Sequence, residues 1–112
     1  MARMFTYFIQ CNGDGGPIKI GRSGDVQRRR RDLQSQYPFT LRILGFIRGD
    51  YEKQFHKRFA AHRIRGEWFH AAPEILRLAA LSVPLIAAES AKVGVVRAYV
   101  VDEVGALRRA TG

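Results

Sequence analysis

Tyr7, Lys19 and the arginine run Arg28-Arg29-Arg30-Arg31 lie within one short stretch, on either side of a glycine-rich turn, Asn12 to Gly16. These residue types suit a phosphate. A phenol donates or accepts a hydrogen bond, an ammonium supplies a compact charge, and a guanidinium matches two phosphate oxygens with one planar fork. The chain as a whole leans the same way: 19 Lys plus Arg against 10 Asp plus Glu leave a formal charge of +9 over 112 residues. Most of that excess is arginine, so a polyanion is the expected partner, with nucleic acid first.

The elements that must hold these groups are legible from pattern. Residues 4–10 are aromatic and β-favouring and predict a strand, Asn12 to Pro17 a hairpin loop, and residues 18–22 the returning strand. Alternation puts Phe5, Tyr7 and Ile9 on one face, with Thr6, Phe8 and Gln10 on the other. Ile18 and Ile20 share a face, opposite Lys19 and Gly21. Register across the hairpin is open at this point, so whether Tyr7 and Lys19 share a face is open too. Ser23-Gly24-Asp25 is a helix start, and the helix is expected over residues 26–36, ending before Tyr37-Pro38. Helical phasing sets Arg29 and Arg30 beside the apolar Val26–Leu33 line and turns Arg28 and Arg31 to solvent.

Residues 40–48 predict a third strand and residues 51–62 a second helix with the stripe Tyr51, Phe55, Phe59 and His62. Glu52 and His56 border that stripe. A basic corner, Arg63 to Gly66, leads to Glu67-Trp68-Phe69, and Pro73 opens a helix through Leu81 with Ile75, Leu76, Leu78 and Leu81 apolar. Residues 93–101 could add a strand, and 102–112 a short helix or tail. The expected fold class is α+β: a small three-stranded antiparallel sheet flanked by helices in residues 1–82, with a C-terminal extension over 83–112. No apolar run is long enough to span a membrane, and the N-terminal stretch, broken by Thr6 and Gln10, does not read as a signal peptide. The lone Cys11 suits a reducing compartment, and the expected location is the cytoplasm.

Residues 7–69 resemble the GIY-YIG nuclease superfamily, especially its small stand-alone branch found in phage and bacterial genomes and in fungal "meiotically up-regulated" proteins. Thr6-Tyr7-Phe8-Ile9 matches the first name motif, and Lys19-Ile20-Gly21 followed by Arg22-Ser23-Gly24-Asp25 matches the second. Arg29 follows Gly21 by the family's eight residues. Glu52 falls where the family has a metal-binding glutamate, and Arg65-Gly66-Glu67-Trp68-Phe69 is similar to the segment that closes the domain in this branch. The resemblance implies hydrolysis of a DNA phosphodiester with Mg²⁺ or Mn²⁺. It implies that Tyr7 activates water, Arg29 clamps phosphate charge and Glu52 binds the ion. Two departures stand out. Lys19 replaces the tyrosine of the second motif, and the family's closing asparagine is missing, with Glu67 the nearest polar residue.

The chemistry is coherent on general grounds. One glutamate suffices for an ion that keeps most of its waters. An ammonium at Lys19 is expected to favour the Tyr7 phenolate. Arg22, Arg28, Arg31, Arg63 and Arg65 are candidate backbone contacts, and His56 and Glu67 are candidate accessory groups. Each residue also has an ordinary reading: Tyr7 as a strand tyrosine, Arg29 as a snorkelling side chain, Glu52 as a first-turn acid stabilising the helix dipole, Trp68 as a core anchor. The competing functions are a non-catalytic nucleic-acid-binding domain and a module for an acidic protein.

Overall fold

The computed structural model describes residues 4–90, 99–101 and 107–109. The first strand, β1 (Phe5–Cys11), turns through a loop in which Asn12, Gly13 and Gly15 all have positive φ, and returns as β2 (Ile18–Ser23). Glycine takes that left-handed geometry without a Cβ clash, and asparagine tolerates it. Asp25 then caps α1 (Val26–Gln34) by accepting from the Arg28 amide at 3.1 Å. Next come β3 (Leu41–Arg48), α2 (Glu52–Arg58), a 3-10 turn at Ala60–His62, the short strands β4 (Arg63–Arg65) and β5 (Trp68–Phe69), and α3 (Pro73–Ser90). Two further strands, β6 (Tyr99–Val101) and β7 (Leu107–Arg109), pair antiparallel with each other.

The main sheet has five strands, in the order β3-β1-β2-β5-β4, and every pairing is antiparallel. The sequence reading expected three. The two missed strands are only three and two residues long, too short for a period-two signal, and they exist because Trp68 and Phe69 pair with Lys19 and Ile18. β1 is an interior strand, between β3 and β2, and is buried on both faces. Tyr7 and Ile9 face a cluster with Val26, Leu33 and Leu41, under α1. Phe8 faces the larger core of Ile18, Ile20, Phe55, Phe59, Phe69 and Ile75, under α2 and α3. A register shift between Phe8 and Ile9 leaves Leu44 as an extra residue in β3. This bulge lets the successive residues Leu44 and Gly45 both face the α3 side, with Ile43 and Phe46 on the other.

Other elements differ from expectation in their ends. The first helix stops two residues before Gln36, and the second is α-helical only to Arg58, with Ala60–His62 tightened to 3-10 form. Its inner stripe narrows to Phe55 and Phe59, both fully buried. The third helix runs past Leu81 to Ser90 and buries Ile75 and Leu78, whereas Leu76 and Leu81 are exposed. Tyr99–Val101 is a strand, as is Leu107–Arg109, where a helix or tail was expected; the rest of 91–112 lies outside the described residues. Among the described residues no helix is long and apolar enough to cross a membrane.

α3 approaches β3 closely at Gly45, where an added Cβ would meet Ser82 Oγ and lie 2.7 Å from the Ala79 carbonyl oxygen. Because backbone blocks one side, Gly45→Ala is expected to destabilise the fold by about 1–3 kcal/mol in urea denaturation.

Candidate functional site

The hairpin register settles the question that alternation left open. Tyr7 pairs with Gly21 and Ile9 with Lys19, so Tyr7 and Lys19 are diagonal neighbours on one face of the sheet. The Tyr7 ring lies over its cross-strand partner: a Cβ on Gly21 would collide with Tyr7 Oη and lie 2.6 Å from Cζ. Gly21 is thus the gap that seats the phenol. Past Ile20, whose amide donates to the Glu67 carbonyl at 2.9 Å, no described strand pairs with the outer edge of β2. The site sits at this open edge.

Glu67 belongs to it. Gly66, at a φ of +56°, turns β4 into β5, and the turn carries the Glu67 carboxylate back over β2. Its Oε1 lies 3.0 Å from the position of the Gly21 Cβ, beside the Tyr7 hydroxyl, and its Oε2 pairs with Lys19 Nζ at 3.6 Å. The Lys19 ammonium also stands over the Trp68 ring, 5.5 Å from its centroid, and Trp68 meets the Tyr37 ring edge-on at 5.7 Å. Trp68 is therefore an anchor, as its ordinary reading had it, and also part of the site's wall.

Arg29 comes down from α1 beside the phenol, as its spacing from Gly21 implied. The two side chains are electrostatic neighbours, each favouring the other's charged form. The Tyr7 hydroxyl nevertheless makes no aligned hydrogen bond, and it is buried. Burial dominates its titration and raises its pKa above the ordinary phenol value, with Glu67 and Glu52 also opposing ionisation and Arg29 only partly offsetting them. This corrects the expectation that Lys19 favours the phenolate. The Lys19 charge is engaged by Glu67, and at neutral pH Tyr7 is a neutral phenol with unused hydrogen-bonding capacity.

Glu52 reaches the same rim from the other side. It is the first residue of α2, which packs on the face opposite Tyr7. Thr6, fully buried, fixes the approach: its hydroxyl donates to the Gly49 carbonyl and accepts from the Tyr51 amide, both at 2.8 Å. Arg22 completes the fixation, contacting Asp50 at 2.6 Å and Glu52 at 3.8 Å. Arg22, expected to contact nucleic acid, is therefore engaged with two carboxylates, and it braces Glu52. Nothing in the strand or loop pattern marks Thr6 or Arg22 for this; their partners are more than two dozen residues away in the chain.

The remaining candidates divide. His56 donates from Nε2 to the Ile20 carbonyl at 2.8 Å and accepts at Nδ1 from Arg63 at 3.1 Å, so both ring nitrogens are committed to holding α2 against β2 and β4. Arg63 also covers the Phe69 ring. Arg28, Arg31 and Arg65 are exposed and have no ion-pair partner among the described residues.

Among the described residues no group of three or more His, Cys, Asp or Glu could cage a metal ion. Glu52 is partly exposed at the rim, and the orphaned Tyr7 hydroxyl lies near enough to feel its charge.

A family model described as T5orf172 domain matches residues 4–83. The chain belongs to the T5orf172 domain family. Neither a curated protein nor a solved structure matches it. The matched span holds every group of the site in this T5orf172 domain, from Tyr7 to Glu67.

Two measurements test the geometry. Tyr7→Phe removes an unsatisfied buried hydroxyl and is expected to raise stability at pH 7 by about 1 kcal/mol. The folded state holds the phenol proton more tightly than the unfolded chain, so wild type should lose stability relative to Tyr7→Phe as pH rises above about 10. Denaturant midpoints for both proteins across that range check the sign. For Arg22, a bracing role predicts that Arg22→Ala leaves the salt slope of DNA binding unchanged, where loss of a phosphate contact would reduce it by about 1.

Proposed function

We propose that this T5orf172-domain protein is a divalent-metal-dependent endonuclease that hydrolyses phosphodiester bonds in DNA. The observation that carries the reading is the buried, unpartnered Tyr7 hydroxyl at the open edge of β2, with Arg29, the Lys19–Glu67 pair and Glu52 gathered around it. An orphaned buried hydroxyl costs about 1–3 kcal/mol, and a chain keeps that cost most readily where a ligand relieves it. Membership of a family found in phage and bacterial nuclease-like proteins supports the same reading.

In this proposal Arg29 binds the phosphoryl oxygens and neutralises the charge that grows on them. Its side chain is long and largely exposed, so it is the neighbour free to move outward with the phosphate and open a path to Tyr7 Oη. Tyr7, neutral at rest, would position the attacking water by accepting a hydrogen bond from it, and would take the water's proton only after releasing its own to solvent, a loss that the Arg29 charge favours. Lys19 keeps Glu67 beside the phenol, and Gly21 keeps the space open. Glu52 would hold Mg²⁺ or Mn²⁺, which when bound supplies Lewis-acid neutralisation at the phosphate. Arg28, Arg31 and Arg65 follow the DNA backbone without reading sequence. The unpaired Cys11, buried at the end of β1, suits the reducing cytoplasm as the place of action.

A second reading has its own observation. Both carboxylates of the site are ion-paired, Glu52 with Arg22 and Glu67 with Lys19, and the tyrosine is held neutral. A self-neutralised site of that kind also suits a non-catalytic DNA-binding domain on the same scaffold.

Supercoiled plasmid incubated with Mg²⁺ or Mn²⁺ separates the two. The enzyme reading expects nicking by wild type and a loss of at least about 100-fold in Arg29→Ala and in Glu52→Ala. Absence of nicking together with salt-sensitive binding that survives Glu52→Ala would favour the binding domain.

A further inference from the structure

At the far end of α1 from Asp25, one aromatic side chain stands out in solvent: Phe39 is 49% exposed. A lone exposed apolar residue commonly has no role. This one differs in how it is held. Gln34, the last residue of α1, clamps the loop around it. The Gln34 Nε2 donates to the Phe39 carbonyl at 2.7 Å and to the Tyr37 carbonyl at 3.3 Å, and its Oε1 accepts from the Leu41 amide at 2.8 Å. Pro38 stiffens the backbone just before Phe39. On one side Tyr37 is seated against Trp68 at 5.7 Å; on the other, the Thr40 carbonyl accepts from the Asn12 amide at 3.0 Å. The residues flanking Phe39 are tied down while its own ring is left out.

A ring displayed on an anchored loop loses little freedom when something covers it, which favours binding. The charge around it says what covers it. The exposed arginines of α1, Arg28, Arg29 and Arg31, lie on the helix that leads to the loop. An aromatic face at the end of an arginine-rich helix matches a nucleobase attached to a phosphate backbone, the combination by which proteins hold single strands. Bases inside a duplex have both faces covered by their neighbours. Only an unpaired, unstacked base can present a face to Phe39. Position fits as well, since the loop is tied to Asn12, the residue that follows β1 and lies five residues from Tyr7, or about 17 Å. A strand lying along α1 would span that gap with a few nucleotides.

We propose that Phe39 is a stacking platform for an unpaired nucleobase, and that the preferred substrate is therefore DNA with a single-stranded stretch a few nucleotides from the phosphate at Arg29. The word substrate rests on the nuclease reading above; the stacking contact needs only that the protein binds DNA.

Fluorescence anisotropy with a labelled single strand and with its fully paired duplex tests this at low salt, for wild type, Phe39→Ala and Phe39→Trp. Phe39 is exposed, so both variants keep the fold. Phe39→Ala is expected to weaken single-strand binding by about tenfold or more while leaving duplex binding within about twofold. Phe39→Trp should bind the single strand like wild type, and its added emission should be quenched at saturation. Equal affinities of wild type and Phe39→Ala for the single strand would overturn the proposal, as would a parallel loss on both substrates or added emission from Phe39→Trp that stays unquenched. Those results leave DNA binding by wild type intact and so spare the broader reading. Wild type that binds neither DNA overturns both.

Discussion

The pairing of Tyr7 with Gly21 across the first hairpin is the contact on which the site depends. A one-residue slip would turn Tyr7 toward α2 and α3 and put Phe8 under α1, because side chains alternate faces along a strand. That slip is opposed on both sides at once. β1 is interior, flanked by β2 and β3, and its residues from Thr6 to Gln10 are buried, so a shift would misplace two apolar clusters together. The positive-φ residues of the loop fix where the chain reverses, and the missing Cβ at Gly21 leaves room for the phenol only in this register.

Charge is distributed in two ways on this basic chain. Lys19, Arg22 and Arg42 face carboxylates, at Glu67, Asp50 with Glu52, and Asp14. Arg28 and Arg31 on α1 have no such partner among the described residues. The Lys19 and Arg22 pairs shape the rim of the site, and the unpaired set forms a field around it that a polyanion would feel first. The exposed pairs add little stability, since solvent screens them. Their effect is positional: Arg22 and Thr6 together bring Glu52, from a helix on one face of the sheet, to the rim of the other.

Legibility in the sequence followed segment length. β1, β2, β3 and α1 were readable because each carries enough residues for an apolar period to show, and Tyr7, Gly21 and Arg29 could be placed by counting along them. β4 and β5 could not be read, and with them went the position of Glu67, whose carboxylate arrives only when Trp68 pairs with Lys19. His56 and Arg22 carry residue types that suggest chemistry or phosphate binding. Their side chains are taken up instead by Ile20, Arg63, Asp50 and Glu52, partners that no local pattern announces. The Tyr7 titration differs from expectation for a similar reason: Lys19 could be placed on the neighbouring strand, but neither the face it shares with Tyr7 nor the burial that dominates the phenol shows in the sequence.

By itself the sequence determined the basic charge, the order of the strands and helices in the first half, the face on which Tyr7 lies along its own strand, and the inward phase of Arg29. These are set by local periodicity and by the covalent spacing of residues. Only the tertiary structure decided that Tyr7 and Lys19 share a face, that Glu67 closes over them, that Glu52 reaches the rim through Arg22, and that the phenol is sealed and neutral. Each of those depends on register, burial or a contact between segments distant in the chain, and such properties come into being only when the sheet closes and water leaves the spaces between its layers.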